Sequence, residues 1–302
     1  MLETLLNRPV ASDCLDYIPL LPDDSIHCMV SDIPYGISLD RWDVLHPNQN
    51  SALLGQSPAQ VGKYGFKRRG KPIQGWSSKD RDIPRHYQQW CTTWADLLYP
   101  KLKDGASVFV FGARRTLHRA ILALEDSGLL LKDVLAWEKP IAHYRAQRLS
   151  EILRRRGLSE EAAQWQGWRL GNLAPRWEPI AWFFKPYDYT ITDNVLHNEV
   201  GAIHTAVCQV DGKNPSNVLR HWFERDEPRV HEAQKPLRLI EFLIQLTTCE
   251  NHVVLDPFLG SGTTAVACQR LKRGFVGCDI DPANIERAWT RLGGHDTVAT
   301  GD

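Results

Sequence analysis

Residues 253–282, VVLDPFLGSGTTAVACQRLKRGFVGCDIDP, constrain the fold more than any other stretch of the 302-residue chain. An apolar strand over 252–256 ends at Asp256, a loop carries Gly260 and Gly262, and a helix begins near Thr263. A second strand, 274–279, ends at Asp279, and a further helix spans 282–292. Strand, glycine turn, helix and strand in this order form a βαβ unit of a doubly wound sheet. Small residues in the loop let a ligand approach the backbone, and free amides at the start of the helix can hold a carboxylate. The loop lacks the Gly-Lys-Ser/Thr ending of a P-loop and the GxGxxG spacing, so ATP and NAD fit less well than a smaller anion. Asp279 stands where such folds place an acid that accepts hydrogen bonds from ribose hydroxyls, which implies a nucleoside ligand. The alternative is a tight structural turn after a strand.

The rest of the chain continues the alternation. SIHCMVS, residues 25–31, reads as a buried strand that runs into Asp32-Ile33-Pro34-Tyr35-Gly36, placing a polar loop at its carboxyl end. Residues 37–85 lack periodicity and read as a long insertion loop. A helix is expected over 86–103, stopped by Asp104-Gly105, then the strand ASVFVFG, a helix over 114–127, and strands over 131–137 and 179–184. A helical insertion at 140–175 contains LSEILRRRGLSEEAAQWQGWRLGNLAP, two helices around Gly157 that form either a helix-turn-helix or a plain hairpin. Residues 186–230 are of mixed character, and an amphipathic helix follows from Pro236 to about Thr248. The expectation is one α/β domain over residues 1–302, with a mostly parallel sheet and helices on both faces.

Charge excludes a strong whole-molecule attraction to polyanions, because 36 basic residues balance 36 acidic ones. A nucleic-acid surface must then be local. Lys63, Lys67, Arg68, Arg69 and Lys71 form one basic cluster and Arg154, Arg155 and Arg156 another, each readable also as a solvated face. The seven cysteines are isolated, without zinc-ligand spacing, so neither a disulfide scaffold nor a metal site is expected. No signal pattern opens MLETLLNRPV and no apolar run reaches the ~20 residues of a membrane span, so cytoplasmic residence is the expectation.

DPFLGSGTT followed by GFVGCDID resembles the S-adenosylmethionine motif of amino-directed DNA methyltransferases, and Asp32-Ile33-Pro34-Tyr35 resembles their catalytic tetrapeptide. With the catalytic motif near the N-terminus and the cofactor motif near the C-terminus, the order is similar to the circularly permuted β class. Asp13 within SDCLDYIPLLPDDSI, AWEKP at 136–140, RWEPIAWFFKP at 176–186 and HEAQKPLRLIEFLI at 231–244 extend the likeness. The resemblance implies a Rossmann-like, seven-stranded sheet with S-adenosylmethionine over its carboxyl edge. Phe258, Gly260 and Gly262 would lie by the methionine moiety, Asp256 and Thr263 by its charged ends, and Asp279 on the ribose. Asp13 and Lys235 are further cofactor candidates; for Lys235 a role at the start of a helix is the alternative.

An exocyclic amine is a poor nucleophile because its lone pair is delocalised into the ring. Asp32 can accept one amino hydrogen and the backbone carbonyl beside Pro34 the other, favouring a tetrahedral nitrogen in the transition state. Tyr35 offers a face on which an extruded base stacks. The motif contains no cysteine nucleophile, which argues against methylation of a cytosine ring carbon. Ile33 departs from the family's usual proline, and His27 stands where an acid is common. In the family, aspartate at the first position leans toward N6 of adenine and serine toward N4 of cytosine. Adenine in double-stranded DNA is therefore the expected target, with cytosine N4 the alternative and RNA or a protein glutamine a more distant one. The insertion at 37–85, with Lys67, Arg68 and Arg69, is expected to clamp DNA; the helical pair at 147–172, with Arg154 and Arg155, and the segment 186–230 are expected to read it. Trp165, Trp168, Trp177 and Trp182 are either base-stacking or core residues. Many family members dimerise and some work beside a cognate restriction endonuclease; no residue of this chain specifies either.

Overall fold

A computed structural model describes residues 2–35, 83–142, 147–171, 173–230 and 233–293. Ten strands are described: β1 (Pro9–Ala11), β2 (Ile26–Asp32), β3 (Leu102–Phe111), β4 (Leu130–Glu138), β5 (Gln147–Arg148), β6 (Arg169–Leu170), β7 (Trp177–Phe184), β8 (Val218–Leu219), β9 (Val253–Asp256) and β10 (Gly274–Asp279). The helices are α1 (Leu2–Leu5), α2 (Cys14–Tyr17), α3 (Ile83–Leu98), α4 (Leu117–Asp126), α5 (Leu149–Arg155), α6 (Ser159–Gln164), α7 (Ile191–Asn198), α8 (Leu237–Thr247), α9 (Thr263–Arg270) and α10 (Pro282–Leu292).

Eight strands form one sheet in the order β1-β10-β9-β2-β3-β7-β4-β8. All neighbours are parallel except where β7 runs antiparallel between β3 and β4. The α/β expectation holds, with eight strands in place of seven. The outermost strands, β1 and β8, have three and two residues, too few to leave a periodic pattern in the sequence.

Burial follows the pleat. Met29, Val108, Val110, Ala181 and Phe183 pack on one face beneath α3 and α4, while Cys28, Val30, Phe109, Phe111 and Ile180 pack on the other beneath α8 and α9. Covered on both faces, β2 and β3 read as near-continuous apolar runs. The chain passes from β2 to β3 on one side and from β9 to β10 on the other, so the sheet's order reverses between β2 and β9. A doubly wound sheet opens a crevice at the carboxyl ends of the strands flanking such a reversal.

Two boundaries differ from expectation. The helix expected to reach residue 103 stops at Leu98 and a short 3-10 turn covers Tyr99–Lys101, because Pro100 has no amide to continue the ladder. Asp104-Gly105, read as the helix stop, instead lies inside β3, where the pairing with β2 jumps from Leu102 to Ser107 and Gly105 takes a φ of 84°. The helical pair around Gly157 is present as α5 and α6, closed by the two-stranded β5–β6 ladder. Among the tryptophans, Trp182 is core, stacked on Phe109 with centroids 5.2 Å apart and donating to Ser107. Trp165 and Trp168 are exposed and meet edge to face, and Trp177 is also exposed. Among the described residues no helix is long and apolar enough to cross a membrane.

Candidate active site

The strands flanking the reversal end in acids: Asp32 on β2, Asp256 on β9 and, one strand further, Asp279 on β10. They surround a cavity of about 520 Å³ lined also by Asp13, Pro34, Trp90, Lys235, Phe258, Gly260, Thr263 and Ile280. That volume suits a small organic ligand. Of the sequence-predicted residues, Asp13, Asp32, Pro34, Lys235, Asp256, Phe258, Gly260, Thr263 and Asp279 meet in one place. Gly262 turns the chain beside the cavity, and Tyr35 sits at the Asp32 end. Arg154 and Arg155 lie on α5, exposed, with Arg154 paired to Glu151. Lys67, Arg68 and Arg69, with nearly all of the 37–85 insertion, lie outside the described residues.

Asp279 braces the glycine loop. Its Oδ2 accepts the Gly260 amide at 2.8 Å, and its Oδ1 accepts the Asp281 amide at 2.9 Å and the Asn284 side chain at 3.1 Å. Gly260 adopts a φ of +53°, and a Cβ there would meet no protein atom within 4 Å. Gly262, at φ +81°, is different: a Cβ would fall 2.7 Å from that of Ala288, so its smallness lets α10 close on the loop. The amides of Phe258, Leu259, Gly260 and Gly262 are all taken, by Asp256, Cys278, Asp279 and Leu259 respectively. This narrows the anion-holding amides foreseen in the loop to those from Ser261 into the first turn of α9. Thr263 Oγ1 accepts from Arg291, which also holds the Ser261 carbonyl at 2.9 Å.

Asp256 is nearly fully buried and receives three donors: Ser31 Oγ and Thr264 Oγ1, each at 2.6 Å, and the Phe258 amide at 3.2 Å. Burial pushes its carboxyl up to about 6 against these bonds. It ties β2, the loop and α9 together. Asp13 caps α2 through the Leu15 amide at 2.9 Å. Phe258 packs against Trp90 and Trp94, with centroids 5.5 and 5.7 Å away, forming the cavity's aromatic wall.

The tetrapeptide is held by hydroxyls from two helices. Tyr87 of α3 donates to the Pro34 carbonyl at 2.8 Å, and Thr116, at the start of α4, donates to the Tyr35 carbonyl at 2.7 Å. Lys235 Nζ binds Asp32 Oδ2 and reaches the Tyr35 hydroxyl at 3.3 Å. Asp32 Oδ1 is buried and has no hydrogen bond among the described residues. Burial raises the carboxyl above the ordinary range, Lys235 opposes this, and Glu178 adds to it. The Tyr35 phenol is likewise pushed up by burial and by the neighbouring Asp32 charge.

Sequence reasoning missed Ser31, Thr264, Tyr87, Thr116, Trp90, Glu178 and Arg291. For Glu178 a signal existed, a charged residue in an otherwise apolar strand, and Ser31 interrupts the apolar run just before Asp32. Tyr87, Trp90 and Thr116 are joined to the site only by tertiary packing.

Comparison with known proteins agrees with this geometry. The N6/N4 family of DNA methylases matches residues 26–289. The type II methyltransferase M.HindIII of Haemophilus influenzae is 46% identical over 290 residues, covering 93% of this chain and 94% of that one. M1.MboII of Moraxella bovis is 21% identical over 315 residues, covering 95% and 96%. Among solved structures, the cytosine-N4-specific PvuII DNA methyltransferase superposes with a TM-score of 0.60 at 16% identity, covering 97% of this chain and 90% of that one. M1.HpyAVI in complex with SAM gives 0.54 at 18% identity, covering 95% and 99%. The chain thus belongs to the N6/N4 DNA methylase family.

Proposed function

We propose that the protein transfers a methyl group from S-adenosylmethionine to N6 of an adenine extruded from double-stranded DNA. The observation that carries this reading is the Asp32 carboxylate, with one oxygen held by Lys235 and the other buried beside the cavity, without a hydrogen bond among the described residues. A buried acceptor without a donor is costly, and an incoming amine satisfies it.

The cavity fits the cofactor. The open space above Gly260, the Asp279 carboxylate and the Phe258–Trp90 wall offer a cradle for a nucleoside with an amino-acid tail. When bound, S-adenosylmethionine supplies an electrophilic methyl group on its sulfonium. Asp279 and Asp13 take the ribose side, and the amides from Ser261 onward, with Thr263, take the carboxylate end. Asp256 supports them by fixing the loop. Asp32 Oδ1 accepts one hydrogen of the target amine. Because Tyr87 already occupies the Pro34 carbonyl, we assign the other hydrogen to the Ile33 carbonyl. Together the two acceptors turn the nitrogen lone pair toward the methyl group. Tyr35 stacks on the base, steadied by Thr116.

Aspartate at position 32 favours adenine. The exposed α5–α6 pair with Arg154 and Arg155, together with residues 186–230, is our assignment for DNA reading, and Lys67, Arg68 and Arg69 for phosphate contact. The relationship to a type II enzyme supports a cognate restriction endonuclease as partner and cytoplasmic action on DNA. The test is to incubate the protein with labelled S-adenosylmethionine and unmethylated DNA, digest to nucleosides and identify the product by mass. N6-methyl-2′-deoxyadenosine is expected. N4-methyl-2′-deoxycytidine would overturn the choice of base, and no labelled nucleoside would overturn the reaction.

A further inference from the structure

Glu178 lies near the start of β7, mostly buried, on the strand that runs antiparallel between β3 and β4. It forms an ion pair with Lys139, and it feels the charge of Lys235. Lys235 in turn is bound to Asp32. The four side chains therefore alternate in sign, Asp32, Lys235, Glu178 and Lys139, and they come from β2, the segment before α8, β7 and the end of β4. Lys235 is almost fully enclosed, with Phe111 and Tyr35 rings 5.4 and 5.7 Å from its ammonium. An enclosed ammonium so placed has its direction fixed by the Asp32 carboxylate that it binds, with the Tyr35 hydroxyl and the Ala233 carbonyl each at 3.3 Å.

We propose that Lys235 is a positioning residue that orients Asp32 and, against the opposing charge of Glu178, sets its protonation state. The proposal rests on the reading of Asp32 given above and adds what controls it. With Lys235 donating to Oδ2, a protonated Asp32 would have to carry its proton on Oδ1, the oxygen that meets the substrate. It would then present a donor where the amine needs an acceptor, and transfer would stop. Lys235 favours the ionised form. Glu178, itself paired with Lys139, disfavours it through its charge. The remaining charged or titratable groups facing Asp32 are Tyr35 on the same loop and Asp256 on β9, with Tyr87 of α3 acting on Tyr35. None of these bridges Asp32 and Glu178.

The test is the pH dependence of single-turnover methyl transfer, with product identified by mass, in wild type, Lys235→Met, Lys235→Arg and Glu178→Gln. In Lys235→Met the acid limb should move up by about one pH unit or more and the rate on the plateau should fall roughly a hundredfold. Lys235→Arg should return the limb toward wild type. In Glu178→Gln, which keeps the side chain's shape, the limb should move to lower pH, because the Glu178 charge no longer opposes ionisation of Asp32. Limbs that stay fixed while rates fall would make both residues merely structural and overturn the proposal. A wild type that labels no nucleoside overturns the underlying reaction and the proposal with it. A wild type that methylates cytosine N4 with limbs moving in opposite directions leaves the proposal standing and corrects only the base.

Discussion

The Gly260 amide donates to Asp279 Oδ2 at 2.8 Å, so the acid at the end of β10 fixes the loop that follows β9. Asp279→Ala removes this brace together with the assigned ribose contact. Cofactor affinity measured by titration calorimetry should fall at least tenfold, in line with the ~1.5–3 kcal/mol of a hydrogen bond to a charged group. Unchanged affinity would remove Asp279 from the cofactor site.

Asp32→Ala should reduce methyl transfer by about 10²–10⁴-fold while cofactor affinity changes little, since Asp32 bonds to Lys235 and not to the glycine loop. Single-turnover rates alongside cofactor titration separate the two effects. Retained turnover would exclude Asp32 from the chemistry.

The two loop glycines should fail in different ways. Gly262→Ala places a methyl group against Ala288 and should lower stability by about 1–3 kcal/mol in chemical denaturation. Gly260→Ala meets no protein atom, so its melting point should drop less while cofactor affinity falls, the new methyl group standing in the cavity. If both variants lose stability alike, the space above Gly260 is not the binding space.

His27 is stacked on His252 at 4.1 Å and accepts the Val253 amide at 3.1 Å. Burial, followed by the neighbouring His252, pushes its pKa from 6.5 down to about 3. Below pH 6.5 the unfolded chain takes up a proton that the folded chain refuses, so the stability is complete above that pH and is lost as pH falls toward 3. Asp256 acts oppositely, because its raised carboxyl takes stability away as pH rises from 3.8 to about 6. The prediction is therefore a difference: between pH 7 and pH 5, wild type should lose up to about 2 kcal/mol relative to His27→Gln in urea titrations. Parallel losses in the two proteins would refute it.

Each phosphate contact removed should reduce the salt slope of DNA binding by about 0.9. Replacing Arg154 and Arg155 with alanine, or Lys67, Arg68 and Arg69 with alanine, tests the two basic clusters separately. An unchanged slope marks a cluster as solvated surface.

What could be read from the sequence is the part whose signal is local. The βαβ unit around Gly260 and Gly262 is specified by a run of thirty consecutive residues, and Asp32 by the strand-then-breaker pattern, so both are legible in the sequence. Edge strands such as Val218–Leu219 are shorter than one period of alternation, and Gly105 looked like a helix stop because a bulge glycine and a cap glycine have the same composition. Partners at long sequence separation leave no local pattern. Lys235 and Asp32 lie 203 positions apart, and Tyr87 reaches Pro34 across 53, so neither bond could be inferred from spacing.

That last bond has a consequence for how the protein tolerates change. The chain leaves the sheet after Asp32 and, some fifty residues later, α3 comes back to the spot it left, where Tyr87 clasps Pro34 at 2.8 Å. The bond thus ties together the two ends of a detour of some fifty residues. Closing such a detour costs little more when it is lengthened, since the entropy grows only with the logarithm of length. A change in its length should therefore leave the tetrapeptide where Tyr87 holds it, whereas replacing Lys67, Arg68 or Arg69 would touch the phosphate contact assigned to them.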